Sequence, residues 1–341
     1  MRLLAAAAAV AALVSTSAAG AVTKESAAQA KPFVVKVLVL NFDPIIPSEG
    51  GKRLHEVCKW NDPRKLAEGY IADIKEASHG IVNYKIVEWK DIDTFHTKID
   101  GFTYTPEEYM RCHRTGTGWH QPDTADYVKT FKDFGILPRI DSGEIDEVWF
   151  MGAPYFGYSE SAMAGPGAFY INGDVYDKVP CKRAFVIMGF NYERGVAEMI
   201  HDLGHRTEAT MARIYGGWRA EELTTNWARF ASNVWQSGSA GVGSCHVPAN
   251  GESHYDYANP RKVLSDADDW LNYPKLTGKK TLVSCENWGG PDYQRNYLKW
   301  FFYRLPHAPG WNKDGRLNNW WEYIFHFNDY DERGRLKKQT K

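Results

Sequence analysis

The run Phe33-Val-Val-Lys-Val-Leu-Val-Leu40 narrows the fold more than any other feature of the chain. It is rich in β-branched residues and nearly continuous in apolar ones, the pattern of a strand buried on both faces. A helix start follows at Asp62-Pro63, with an N-cap acid and proline in the first turn. Leu66, Tyr70, Ile74 and Ala77 form its apolar stripe, and Gly80 ends it. Ile81-Val-Asn-Tyr-Lys-Ile-Val-Glu-Trp89 reads as the next strand. Strand, helix, strand implies parallel pairing, and hence a layered α/β domain with a mainly parallel sheet. Glu147–Met151 and Arg183–Gly189 read as further core strands. Beyond Trp218 the chain turns helical and aromatic, with candidate helices at 220–235, 265–271, 291–305 and 318–327. Residues 31–338 carry no linker, repeat or low-complexity run, so one α/β domain is expected.

Residues 1–30 read as a leader outside that domain. Met1-Arg-Leu-Leu precedes an Ala/Val/Leu run to about Val14, and Ala19-Gly20-Ala21 and Ala28-Gln29-Ala30 fit small-x-small cleavage sites. The pattern is that of a secretory signal peptide, and the apolar run is short for a membrane span. The expectation is a secreted, soluble protein without membrane or nucleic-acid partners, since the formal net charge is -1. It is read as a monomer. Export permits disulfides. Of the five cysteines, Cys245–Cys285 and Cys58–Cys112 are the expected pairs, which leaves Cys181 free.

Chemistry concentrates in Gly195-Val-Ala-Glu-Met-Ile-His-Asp-Leu-Gly-His-Arg-Thr-Glu208. His201 and His205 stand four apart, so on a helix both imidazoles share one face, as two ligands of one metal ion require. Arg194, Glu198, His201, His205 and Glu208 form a polar seam that needs partners if buried. The segment resembles the H-E-x-x-H helix of zincin metallopeptidases, with Asp202 where that motif has its glutamate base. The resemblance covers this helix and the strand before it. It implies a zincin-like active-site helix, a zinc cofactor on His201 and His205, and a base role for Asp202, with Glu198 or Glu208 as substitutes.

A third ligand must come from elsewhere. Glu208 lies seven residues beyond His201, roughly 10 Å along the axis, which converges poorly on one ion. Glu221 and Glu222 follow the Gly216-Gly217 break, and His246, His254 and Asp256 lie in the loop 244–257. His246 is preferred because a bridge at Cys245 would hold it still. The Gly-rich segment 152–170 and this loop are expected to border a cleft containing the two histidines. Metal binding should weaken below about pH 6, where free imidazole protonates.

The function expected is a secreted, metal-dependent hydrolase acting on an extracellular peptide. The alternative is a carbohydrate-active or carbohydrate-binding protein acting on a polysaccharide, with a structural His helix and Glu160, Glu193 and Asp256 as its carboxylates. The 13 tryptophans permit stacking on sugar, although pairs such as Trp320-Trp321 belong more often to a core. No phosphate loop and no G-x-S-x-G elbow is present. Intact mass of protein recovered after export should lack the first 21 to 30 residues; a mature form retaining Met1 would contradict the leader assignment.

Overall fold

The structure, a computed structural model, describes residues 30–217 and 222–337. Residues 1–29 of the leader and Glu221 lie outside them. Six strands form the main sheet: β1 Phe33–Phe42, β2 Val82–Ile92, β3 Glu147–Gly152, β4 Ser161–Ala164, β5 Val175–Tyr176 and β6 Phe185–Asn191, in the order β2-β1-β3-β6-β4-β5. The four strands read from sequence, β2, β1, β3 and β6, all pair in parallel. The sheet is therefore mainly parallel, as strand-helix-strand order requires. β4 runs antiparallel to β6, and β5 is parallel to β4.

β4 lies in the segment expected to be loop. Ser161-Ala-Met-Ala164 carries little β-branched signal, and it is the neighbouring strands that bury it. Glycine makes the approach possible. A Cβ at Gly189 would stand 2.3 Å from the Ser159 carbonyl oxygen, so the β4 entrance presses directly on β6.

Helix α1, Pro63–Ala77, begins where Asp62 Oδ1 accepts from the amides of Arg64 at 2.8 Å and Lys65 at 3.4 Å. Its expected stripe is buried. Helix α2, Val196–Tyr215, packs against α1, α3 (Tyr293–Tyr303) and α4 (Trp320–Phe325). One apolar cluster runs from Ala30 to Tyr330 and includes Trp227, Trp270, Trp320 and Trp321. These four tryptophans are core, as expected above for the Trp320-Trp321 pair.

That half is less helical than its composition suggests. The described part of the stretch 220–235 is broken into Asn226–Phe230 and Val234–Ser237, because Thr225 and Asn233 each cap a new start through their side chains. Residues Ala267–Asn272 form a 3-10 helix. All five cysteines are free in this structure, so neither expected bridge is present. Cys245 Sγ instead donates to Glu208 Oε2 at 3.2 Å, and Cys112 Sγ to the Gly118 carbonyl at 3.1 Å.

The orientation of α2 is set by a buried ion pair. Arg206 Nη1 lies 2.6 Å from Glu147 Oε1 on β3, both side chains almost wholly enclosed. Arg206 Nη2 donates to the Ile324 carbonyl at 2.9 Å, and its guanidinium lies 4.4 Å over the Phe325 ring. Removing one partner strands a charge in the core. Arg206→Ala should therefore lower stability by about 3–5 kcal/mol in denaturant unfolding, while Arg206→Met with Glu147→Leu should cost far less. Equal losses in the two variants would contradict this account of the pair.

Candidate metal centre

β6 turns into α2 through Asn191–Arg194. Asn191 Oδ1 accepts from the Glu193 amide at 2.9 Å, and Asn61 Nδ2 donates to the Arg194 carbonyl at 3.0 Å. Gly216, in the left-handed region at φ 84°, closes the helix. The helix is continuous, so His201 and His205 share a face with ring centroids 4.6 Å apart.

The loop from Ser244 brings a third imidazole to them. His246 Nε2 stands 3.1 Å from His201 Nε2, and its ring lies 4.7 Å from that of His205. Three interactions hold this loop where a disulfide was expected. Glu208 Oε1 accepts from the Cys245 amide at 2.6 Å; Tyr257 Oη donates to the Cys245 carbonyl at 2.6 Å; Tyr297 Oη donates to the Ser244 carbonyl at 2.8 Å. Gly204 clears the space, since a Cβ there would lie 2.6 Å from Cys245 Cβ. The glycine between the two histidines thus lets the loop reach the helix.

His201, His205, Cys245 and His246 each offer a ligand atom, all within 4.8 Å of one another, and the group could hold a metal ion. The donor chemistry fits. Burial, then neighbouring histidines, pushes His201 down to about 3 and His205 to about 4, and burial lowers His246. The imidazoles are therefore neutral at physiological pH, as ligation requires. His205 Nδ1 faces Glu208 Oε2 at 3.8 Å, beyond hydrogen-bond reach but on the side where many metal-bound histidines have a carboxylate. His201 Nδ1 is buried without a hydrogen-bond partner among the described residues, so that outer support is built for His205 alone.

A cleft of about 660 Å³ opens beside the group. The segment 153–158 with Glu160, the α2 face carrying Glu198, His201 and Asp202, and Tyr255 and Tyr257 line it. Both expected loops thus border it, and of the two helix histidines His201 lines it while His205 does not. Asp202 is on the wall, its carboxyl raised by burial and then by Glu160 and Glu198. Glu208 is not among the cleft-lining residues; it sits on α2 behind His205 and bonds the Cys245 loop, its carboxyl pushed up to about 7 by burial. Of the other ligand candidates, His254 is exposed with its ring 5.3 Å from His246, Asp256 bonds the Glu252 amide, and Glu222 lies outside the group. Of the three glycosidase carboxylates, Glu160 lines the cleft and Glu193 and Asp256 do not.

Sequence reasoning missed Cys245 and Tyr255 as participants and named Glu160 only as a carboxylate of the carbohydrate-active alternative. Cys245 was assigned to a bridge, yet it belongs to the group. Tyr255 Oη lies 3.3 Å from His246 Nε2, and Glu160 Oε2 lies 3.4 Å from His205 Nε2. Adjacency to His246 signals Cys245; nothing local signals the other two, because the sheet and loop assemble them. No protein-family model and no curated protein matches the chain.

These shifts set a pH dependence. The unfolded chain protonates its histidines near 6.5, whereas folded His201 and His205 hold out to about 3 and 4. Between those values the unfolded state binds more protons, so stability of the metal-free protein should fall as pH drops from about 6.5. Glu208 acts oppositely between its unfolded 4.5 and about 7, where the folded state holds the extra proton. Metal-free Glu208→Gln should therefore lose Tm more steeply than wild type between pH 7 and 4.5. For the loaded protein, the lowered proton affinity of all three imidazoles moves the expected loss of metal below about pH 6. Metal release at pH 6 in an equilibrium dialysis series would contradict the burial argument.

Proposed function

We propose that the chain is a secreted, zinc-dependent hydrolase of the zincin-like kind, a single domain acting as a monomer on an extracellular peptide. The observation that carries this reading is the convergence of three neutral imidazoles, from α2 and the 244–246 loop, beside an open cleft with carboxylates on its wall. His201, His205 and His246 would hold the ion, and a nitrogen-rich, tetrahedral-scale set suits zinc. Bound there, zinc supplies Lewis acidity toward a water or a scissile carbonyl. The chain's own groups do the rest. Asp202, on the same wall as His201, takes the proton from the attacking water, in the position where the zincin motif has glutamate. Glu208 orients His205 and fixes the Cys245 loop. The Tyr255 hydroxyl, beside His246, is placed to donate to a developing oxyanion.

A polysaccharide substrate is the second reading. Trp119 and Tyr155 stack at 3.9 Å, and Tyr155 lies on the cleft and is 41% exposed, an aromatic face suited to a sugar ring.

Exported protein should cleave members of a mixed peptide library, with activity removed by a chelator and restored by zinc. His201→Ala and His205→Ala should lose metal and activity together. Asp202→Ala should keep the metal and turn over about 10²–10⁴-fold more slowly. Cleavage of polysaccharides alone would favour the second reading, and full activity in both histidine variants would overturn the proposal.

A further inference from the structure

His205 offers one nitrogen to each of two opposed neighbourhoods, and an imidazole gives only one of them to a given ion. Nδ1 faces the core, 3.8 Å from Cys245 Sγ. Nε2 faces Glu160 of the cleft wall, 3.4 Å from its Oε2. The centre is therefore completed either by a thiolate on the buried side or by a carboxylate on the open side.

We infer that Glu160, delivered by the entrance to β4, is the fourth ligand, and that Cys245 is not a ligand. This rests on the metal-centre reading above. Two donors about 2.0–2.2 Å from one tetrahedral ion stand roughly 3.3–3.6 Å apart. The Glu160–His205 separation of 3.4 Å falls in that range, and the 3.1 Å between His201 and His246 lies just under it; Glu160 stands outside the group whose ligand atoms lie within 4.8 Å of one another and meets it through His205. Cys245 is otherwise engaged. Its thiol donates to Glu208 Oε2 at 3.2 Å, and a thiolate there would set two buried anions against each other. Nε2 ligation also turns the remaining N–H of His205 toward Glu208, the outer carboxylate the site already holds.

Glu160 has its own outer support. Asn172 Nδ2 donates to the same Oε2, and the Glu160 carbonyl accepts from the Gly189 amide at 3.1 Å. Asn172 adopts φ 123°, a conformation uncommon outside glycine, and Gly173 beside it lets the turn close on Ser159. The Glu160 side chain is 45% exposed, so it can yield its place to a substrate oxygen, which a sealed cysteine cannot.

Cobalt(II) titration of the metal-free protein separates the two sets. Wild type should bind one cobalt per chain without a thiolate-to-cobalt band in the near ultraviolet. Glu160→Gln, at a half-exposed position that should tolerate the change, should weaken cobalt binding by at least the roughly 10–100-fold that loss of an outer partner costs. Cys245→Ser should leave the spectrum unchanged. A thiolate band in the wild type, or wild-type affinity in Glu160→Gln, overturns the assignment of Glu160 while leaving a metal centre in place. No cobalt uptake by the wild type overturns the metal centre itself.

Discussion

The Arg206–Glu147 pair is the constraint on which the arrangement of α2 depends. A guanidinium buried to this extent has a narrow choice of positions, because an unpaired charge there costs several kcal/mol. Glu147 opens β3 in the middle of the sheet, so the pair fixes which side of α2 faces the strands. At about 100° per residue, His201 and His205 then stand roughly 100–140° around the helix from Arg206. Both are turned toward His246 of the 244–257 loop, and His201 also lines the cleft. A helix with polar groups on two sides would otherwise be free to roll; the ion pair removes that freedom.

The second side of α2 is completed by close approach. Gly204 lets Cys245 come within side-chain contact, and Glu208 ties down that residue's amide. The loop is held by buried hydrogen bonds from Glu208, Tyr257 and Tyr297 rather than by a covalent bridge. Each of these is worth more in a low-dielectric interior than at a surface. The cost is a carboxyl group whose affinity for protons is raised by its own burial. The same burial keeps the three imidazoles unprotonated, which is the state a metal needs.

Much of this was legible in the residues. The apolar run at 33–40, the Asp62-Pro63 start and the four-residue histidine spacing each carry a local period or cap, and the four parallel strands and α2 follow from them. The choice of His246 among several loop candidates also agrees with the geometry, although the reason offered for it, a bridge at Cys245, does not. What sequence could not show arises between distant segments. β4 has no strand pattern of its own and exists because Gly189 admits it beside β6. Glu160 reaches His205 across 45 positions only after that pairing forms. The tryptophans of the C-terminal half looked helical by composition, but side-chain caps at Thr225 and Asn233 cut the helix there into short turns.

The central claim is that His201, His205 and His246 form one metal centre. The most direct test is metal content of the purified protein, measured by plasma mass spectrometry beside His201→Ala, His205→Ala and His246→Ala. The account requires close to one zinc per wild-type chain and strong depletion in all three variants, with folding retained by circular dichroism. Wild type free of stoichiometric metal after loading at neutral pH, or a His246→Ala variant that retains it in full, would contradict the account.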